Sequence, residues 1–151
     1  MKQDGAGVDL DTSLGYLLKE ASSALRTAME EVLRPLGMSV THYSCLELLA
    51  QRPGLSNSEL ARGAFVTRQT MNVLLQALER DGYVIRPAEA PVGKVLPTRL
   101  TPRGRRSLAK ATVAVRSVES RMLGGMSEAE RAESFRALRG MIRALRGEDR
   151  T

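Results

Sequence analysis

The stretch FVTRQTMNVLLQALERDGY, residues 65–83, holds side chains suited to one kind of chemistry. Met71, Leu74, Leu75 and Leu78 follow the i, i+3, i+4, i+7 rule and commit one helical face to a core. At about 100° per residue, Arg68, Gln69, Asn72 and Gln76 gather within roughly a third of the circumference elsewhere, and the acids Glu79 and Asp81 come only toward the far end. Arg presents a fork of donors that fits the O6/N7 edge of guanine, while the carboxamide of Asn or Gln presents the donor and acceptor that fit adenine. A helix whose first turn is built from Arg, Gln and Asn can read base edges in a DNA major groove if another element presents that turn. The plainer reading is a hydrated face on a generic helical hairpin.

Little else in the chain could carry chemistry. One cysteine, Cys45, makes no internal disulfide, and with one histidine, His42, it cannot build the common Cys/His zinc sites. Cys45 lies in the apolar run YSCLELLA and reads as a small buried hydrophobe. There is no Gly-rich phosphate loop, no paired-carboxylate arrangement and no nucleophile-elbow pattern, so neither a cofactor nor an enzymatic activity is expected.

The elements that would position the reading turn follow from breakers and caps. A first helix is predicted from the capping candidates Asp11, Thr12 and Ser13 to about Arg34, with Pro35 and Gly37 stopping it. A second should cover roughly Thr41 to Gln51, ending at Arg52-Pro53-Gly54. Ser56 to Glu59 form a capping box for a third, short helix that stops near Gly63. The fourth is the opening stretch, capped by Thr67 and closed by Gly82 as its C′ residue. The period then becomes extended over YVIRPAEAPVGKVLPTRLT, predicting a hairpin with its tip near Pro91 to Gly93, its strands kept short by Pro87 and Pro97. Thr101 caps a long helix with Pro102 in its first position, Gly124 and Gly125 end it, and Ser127 to Glu130 open a last helix with Phe135, Leu138, Met141, Ile142 and Leu145 on one side. Two capped helices followed by a hairpin read as a helix-turn-helix with a wing, whose Arg86, Lys94 and Arg99 could reach the backbone or the flanking minor groove.

Composition agrees with this frame. A chain of 151 residues is about one domain in size. With 3% aromatics and no Trp, it favours packed helices over a β-sandwich or a base-stacking platform. No apolar run approaches the ~20 residues needed to cross a bilayer, and the N-terminus lacks an apolar signal segment, so a cytoplasmic protein without a membrane partner is expected. Nine cations against four anions between residues 56 and 106 hold a net +5 of the whole-chain +6, which suits a polyanion-binding middle between nearly balanced ends.

LGYLL near the N-terminus, RPGLSNSELA, LERDGYV and RLTPRG together resemble the MarR family of bacterial transcriptional regulators over residues 12–147. The resemblance implies a mostly α chain with a small β-hairpin. In it a winged helix-turn-helix at 39–101 is carried by N- and C-terminal helices, 12–38 and 102–147, that interleave in a homodimer. It implies a repressor that binds a double-stranded, pseudo-palindromic operator, with recognition-helix contacts falling on Thr67, Arg68, Gln69, Thr70 and Asn72. It also implies a small aromatic or phenolic effector, near which Tyr16, Met38, His42 and Tyr43 would lie, although core packing suits each of these four equally well. One departure stands out. Many members carry an acid followed by two arginines at the wing tip, where this chain has Val92, Gly93 and Lys94, so its wing is expected to bind more weakly or read less of the minor groove. The alternative from another class is a ligand-binding or scaffolding helical dimer without DNA recognition.

Overall fold

The computed structural model describes residues 7–86 and 98–148. The order is α1 (Leu14–Leu33), a 3₁₀ turn (Arg34–Leu36), α2 (Val40–Gln51), α3 (Asn57–Gly63), α4 (Arg68–Arg80), β1 (Val84–Ile85), β2 (Arg99–Leu100), α5 (Pro102–Leu123) and α6 (Glu128–Arg146). The chain is mostly α with one two-stranded antiparallel hairpin, pairing Val84 with Leu100 and Ile85 with Arg99. The expected hairpin tip, with Val92, Gly93 and Lys94, lies outside the described residues. By compactness the chain divides into two units, ending and beginning at Val118 and Glu119.

The helix starts are where short polar side chains can hold orphan backbone donors. Ser13, Ser39, Ser56, Thr67 and Ser127 each accept from a backbone N–H three residues on. Ser56 and Ser127 complete capping boxes with Glu59 and Glu130. Hydrogen bonds from Ser56 and Ser127, the backbone N–H first, hold both carboxyls below their ordinary values. α2 begins at Val40, one residue before its expected start, because Ser39 is the cap. α1 ends at Leu33 and tightens through the Pro35-containing turn to Gly37, whose φ is +69°.

α3 stops where the sequence places its end, at Gly63, but the glycine is not the residue that turns the chain. Gly63 is the last helical residue, and it packs closely, since a Cβ there would stand 3.0 Å from Leu48 Cδ1. The left-handed residue that turns the chain is Phe65, at φ +59°. Phe65 N donates to Arg62 O at 3.2 Å and Val66 N to Ala61 O at 3.0 Å, the paired bonds of a Schellman stop. α4 ends the same way with the expected residue, Gly82 at φ +83°, and Tyr83 N donating to Leu78 O at 2.9 Å.

One core lies within the first unit. Leu33 of α1, Cys45 and Leu46 of α2, Leu60 of α3, Met71 and Leu75 of α4, Val84 of β1 and Ala111 of α5 are almost fully buried in it. Burial pushes the Cys45 thiol up to about 12, which leaves it protonated and unreactive at neutral pH. In the second unit, Arg131 of α6 donates to the Leu123 carbonyl at 3.1 Å, satisfying an acceptor at the end of α5. α6 itself has no buried residue. Among the described residues no helix is long and apolar enough to cross a membrane, and no cluster of three or more His, Cys, Asp or Glu could hold a metal ion.

The start of α5, the end of α4 and β1 are tied at one point. Thr101 Oγ1 donates to Gly82 O at 2.6 Å and accepts from Gly104 N at 3.0 Å, while Thr101 N donates to Tyr83 O at 3.1 Å. A Cβ on Gly104 would meet Tyr83 O at 2.2 Å, so the two backbones approach as only glycine permits. The Tyr83 ring is flanked by His42 edge-on at 5.2 Å and by the Arg103 guanidinium at 4.7 Å. His42 Nε2 is buried without a hydrogen-bond partner among the described residues.

Two measurements check this seam. Gly104→Ala should destabilise the protein by ~2 to 3 kcal/mol, because the added methyl must push backbone apart; a urea midpoint equal to that of the wild type would show that the approach is looser. Burial holds His42 below the ordinary imidazole value, with Asp81 pulling weakly the other way. The folded state therefore binds that proton less readily than the unfolded chain. The His42 contribution is intact above about pH 6.5 and is lost as pH falls from there through the depressed folded value. Melting temperature should drop between about pH 8 and about pH 5, less steeply in His42→Asn, and equal slopes would exclude His42 as the source.

Candidate nucleic-acid interface

α3 and α4 are joined by the four residues Ala64 to Thr67, and their relative placement rests on the Schellman stop at Phe65 and the cap at Thr67. Met71, Leu75 and Leu78 anchor α4 in the core, so its opposite face is free. Along that face stand Arg68, Gln69, Asn72, Val73, Gln76 and Arg80, all exposed. No acid occupies the first turn of α4, in contrast to Glu59 in α3 and Glu128 and Glu130 in α6. The partly positive N-terminus of the helix is left uncompensated and adds to the Arg68 charge, a favourable setting for an anion.

The five residues expected on this turn do different things. Arg68 and Gln69 extend outward with no hydrogen bond to another described side chain. Thr67 and Thr70 are turned on each other: Thr67 Oγ1 accepts from Thr70 N at 3.1 Å and lies 3.0 Å from Thr70 Oγ1. Asn72 is held from the preceding helix, its Oδ1 accepting from Asn57 Nδ2 at 2.8 Å. That bond sets the plane of the Asn72 amide and leaves its own Nδ2 free to donate. Val73, 62% exposed in the middle of the face, escaped the sequence reading because a β-branched residue in an amphipathic helix looks like core. It is placed against solvent beside the polar readers.

At the wing, Arg86 follows β1 directly, half-buried, with its backbone N–H bonded to Glu79 Oε2 at 3.2 Å. Arg99 is exposed on β2, paired across the ladder with Ile85. Both therefore sit at the foot of the hairpin, and Lys94 falls outside the described residues.

The four residues expected around an effector lie on α1, on α2 and in the turn between them. Tyr16 is exposed near the start of α1, Met38 is buried in the core, Tyr43 packs against that core, and His42 faces Tyr83. A different cavity, of about 780 Å³, opens between the C-terminal half of α2, the Pro53–Gly54 turn, β2 and α5. Leu49, Leu100, Leu108 and Val113 give it apolar walls, and Arg99, Arg105 and Arg116 line it with positive charge. None of these three arginines has an ion-pair partner among the described residues. Sequence spacing could not bring out this trio, which comes from a strand and two separate turns of a helix.

Residues 36–94 match the MarR family model. The HTH-type transcriptional repressor Rv2887 of Mycobacterium tuberculosis is 42% identical over 132 residues, 87% of this chain and 95% of that protein. The crystal structure of Rv2887 in complex with DNA is similar with a TM-score of 0.72 at 40% identity, covering 87% of this chain and 98% of the other. Its complex with salicylic acid gives 0.72 at 41% identity, over 87% and 97%. A MarR family regulator from Silicibacter pomeroyi, at 25% identity, has a TM-score of 0.79 over 90% of this chain and 92% of its own. A shared winged helix-turn-helix, together with 42% identity across nearly the whole of both chains, establishes that this chain belongs to the MarR family.

Proposed function

We propose that this chain is a dimeric, sequence-specific repressor that binds a pseudo-palindromic operator and is released from it by a small aromatic acid. The free, acid-poor N-terminal face of α4 is the observation that carries the DNA-reading part. The relatives are transcriptional regulators, and Rv2887 has been crystallised with DNA, which supports the same role here and a regulator in preference to an enzyme.

In this reading Arg68 and Gln69 contact base edges, and the Nδ2 of Asn72 donates to an acceptor in the groove. Thr67 and Thr70 shape the turn and approach phosphate. Arg86 and Arg99 at the foot of the wing, with Lys94 of the segment between them, add backbone contacts. Because a Lys ammonium cannot form a bidentate fork, Lys94 contributes affinity without base preference. Residues 39–101 form the DNA-binding region, and 12–38 with 102–147 form the dimerisation region. Support for the dimer comes from uncovered apolar rows: Leu14, Leu17 and Leu18 on α1, and Phe135, Leu138 and Ile142 on α6, are all exposed in the single chain. A second copy is the usual cover for such faces, and a two-fold axis sets two recognition helices about one DNA turn apart.

For the effector, the arginine-lined cavity suits a planar aromatic carboxylate, and it stands beside the α1–α2 residues Tyr16, Met38, His42 and Tyr43 as the candidate with built-in positive charge. The carboxylate would pair with the guanidinium groups while the ring lies on Leu49, Leu108 and Val113. Rv2887 in complex with salicylic acid supports that ligand class. Occupation would bear directly on Arg99 of β2 and on the turn leading to α3, and so on both DNA-contacting elements.

Selection of bound sequences from random DNA should return an inverted repeat, and on that operator Arg68→Ala or Asn72→Ala should each cost ~1 to 3 kcal/mol and relax preference at one position per half-site; unchanged affinity and selectivity in both variants would reject this docking. Sodium salicylate should release the operator and raise the melting temperature of the free protein, with about tenfold more required for Arg116→Gln, a change of about 1.4 kcal/mol. An undiminished response in Arg116→Gln, with loss of response in His42→Asn, would return the effector to the α1–α2 residues.

A further inference from the structure

Phe65 is the one non-glycine residue with positive φ among the described residues, and it is 88% exposed. Both facts run against local preference. At φ +59° a Cβ crowds the following carbonyl, and the C′ position of a Schellman stop is normally given to Gly or Asn. An exposed ring gains nothing from the core, to which Phe65 does not belong. The chain has a glycine two positions earlier, at Gly63, and uses it for packing against Leu48 instead. The fold therefore supplies no reason for a phenylalanine at this corner, and strain kept at an exposed position points to a contact outside the chain.

The corner also fixes where that contact is. Val66 N is bonded to Ala61 O, and Thr67 caps α4 immediately afterwards, so the ring stands two residues ahead of the cap and three ahead of Arg68, at the reading end of the helix. A DNA major-groove edge carries one apolar group, the C5-methyl of thymine. We propose that Phe65 contacts DNA directly and packs on a thymine methyl at the border of each half-site, adding an apolar reading to the polar one made by Arg68 and Gln69. The proposal rests on the DNA-binding reading above and extends its contact surface from α4 to the turn before it.

The test separates the ring from the backbone it strains. Phe65→Gly relieves the left-handed conformation and should raise the melting temperature by roughly 2 to 4 °C, while binding the selected operator about tenfold more weakly. Replacing each operator thymine in turn by deoxyuridine removes single methyl groups. The wild type should lose about threefold or more in affinity at one thymine per half-site, and Phe65→Gly should be indifferent at that position while keeping any other methyl dependence, such as one due to Val73. Phe65→Asn, which also tolerates left-handed φ, should behave like the glycine variant. Equal operator affinity in Phe65→Gly and wild type, or matching deoxyuridine profiles, would overturn the proposal. A loss in Phe65→Gly that is the same on every substituted operator would assign the ring to sugar and phosphate and overturn it equally. If the wild type selects no sequence at all, the DNA-binding reading itself fails, and the inference fails with it.

Discussion

The arrangement of this winged helix depends on one close approach, that of Gly104 to the carbonyl of Tyr83. There the start of α5 meets the end of α4 with no room for a side chain, and Thr101 converts the meeting into a joint by donating to Gly82 O and accepting from Gly104 N. Three elements thereby share one reference point: the C-terminus of α4, the foot of the hairpin and the first turn of α5. Because α4 is held at its C-terminal end, its N-terminal turn can project freely without losing its direction. The polar face pays no packing penalty for being exposed, since Met71, Leu75 and Leu78 on the other side already bind the helix to the core.

The reading turn is rigid for local reasons and oriented for distant ones. The Thr67–Thr70 hydroxyl contact and the Schellman bonds around Phe65 involve neighbours in sequence. The Asn57–Asn72 bond spans fifteen positions and links the first turn of α3 to the exposed face of α4. A preset amide loses little freedom when it meets a base, which favours selectivity over reach. The proposed effector cavity has one wall on β2 and another on the Pro53–Gly54 turn that leads to α3. A ligand there would touch a strand of the wing and the turn that leads into α3.

How much of this was readable without coordinates follows from the range of each interaction. Caps are local, so Ser56, Thr67, Thr101 and Ser127 marked their helices correctly, and Gly82 marked the end of α4. The hairpin was foreseeable from its β-branched ends, and its two-residue strands from the prolines beside them. Gly63 marked the end of α3 as well, but the left-handed residue that follows is Phe65, which no glycine or asparagine announced. Val73 was hidden by its own chemistry, being apolar at an outward position. The arginine trio and the hold of Asn57 on Asn72 arise from pairs of elements, and no periodicity within one element carries that information.

The joint at Thr101 has a consequence for how such a protein can change over generations. It clamps both feet of the hairpin, nineteen positions apart, independently of what lies between them. Closing a longer loop across a fixed clamp is cheap: doubling its length costs only about 0.6 kcal/mol. Insertions, deletions and charge swaps in the intervening segment are thus tolerated without disturbing the helix that reads the bases. The segment between the clamped ends can change its charge and length while the helix that faces outward keeps its place.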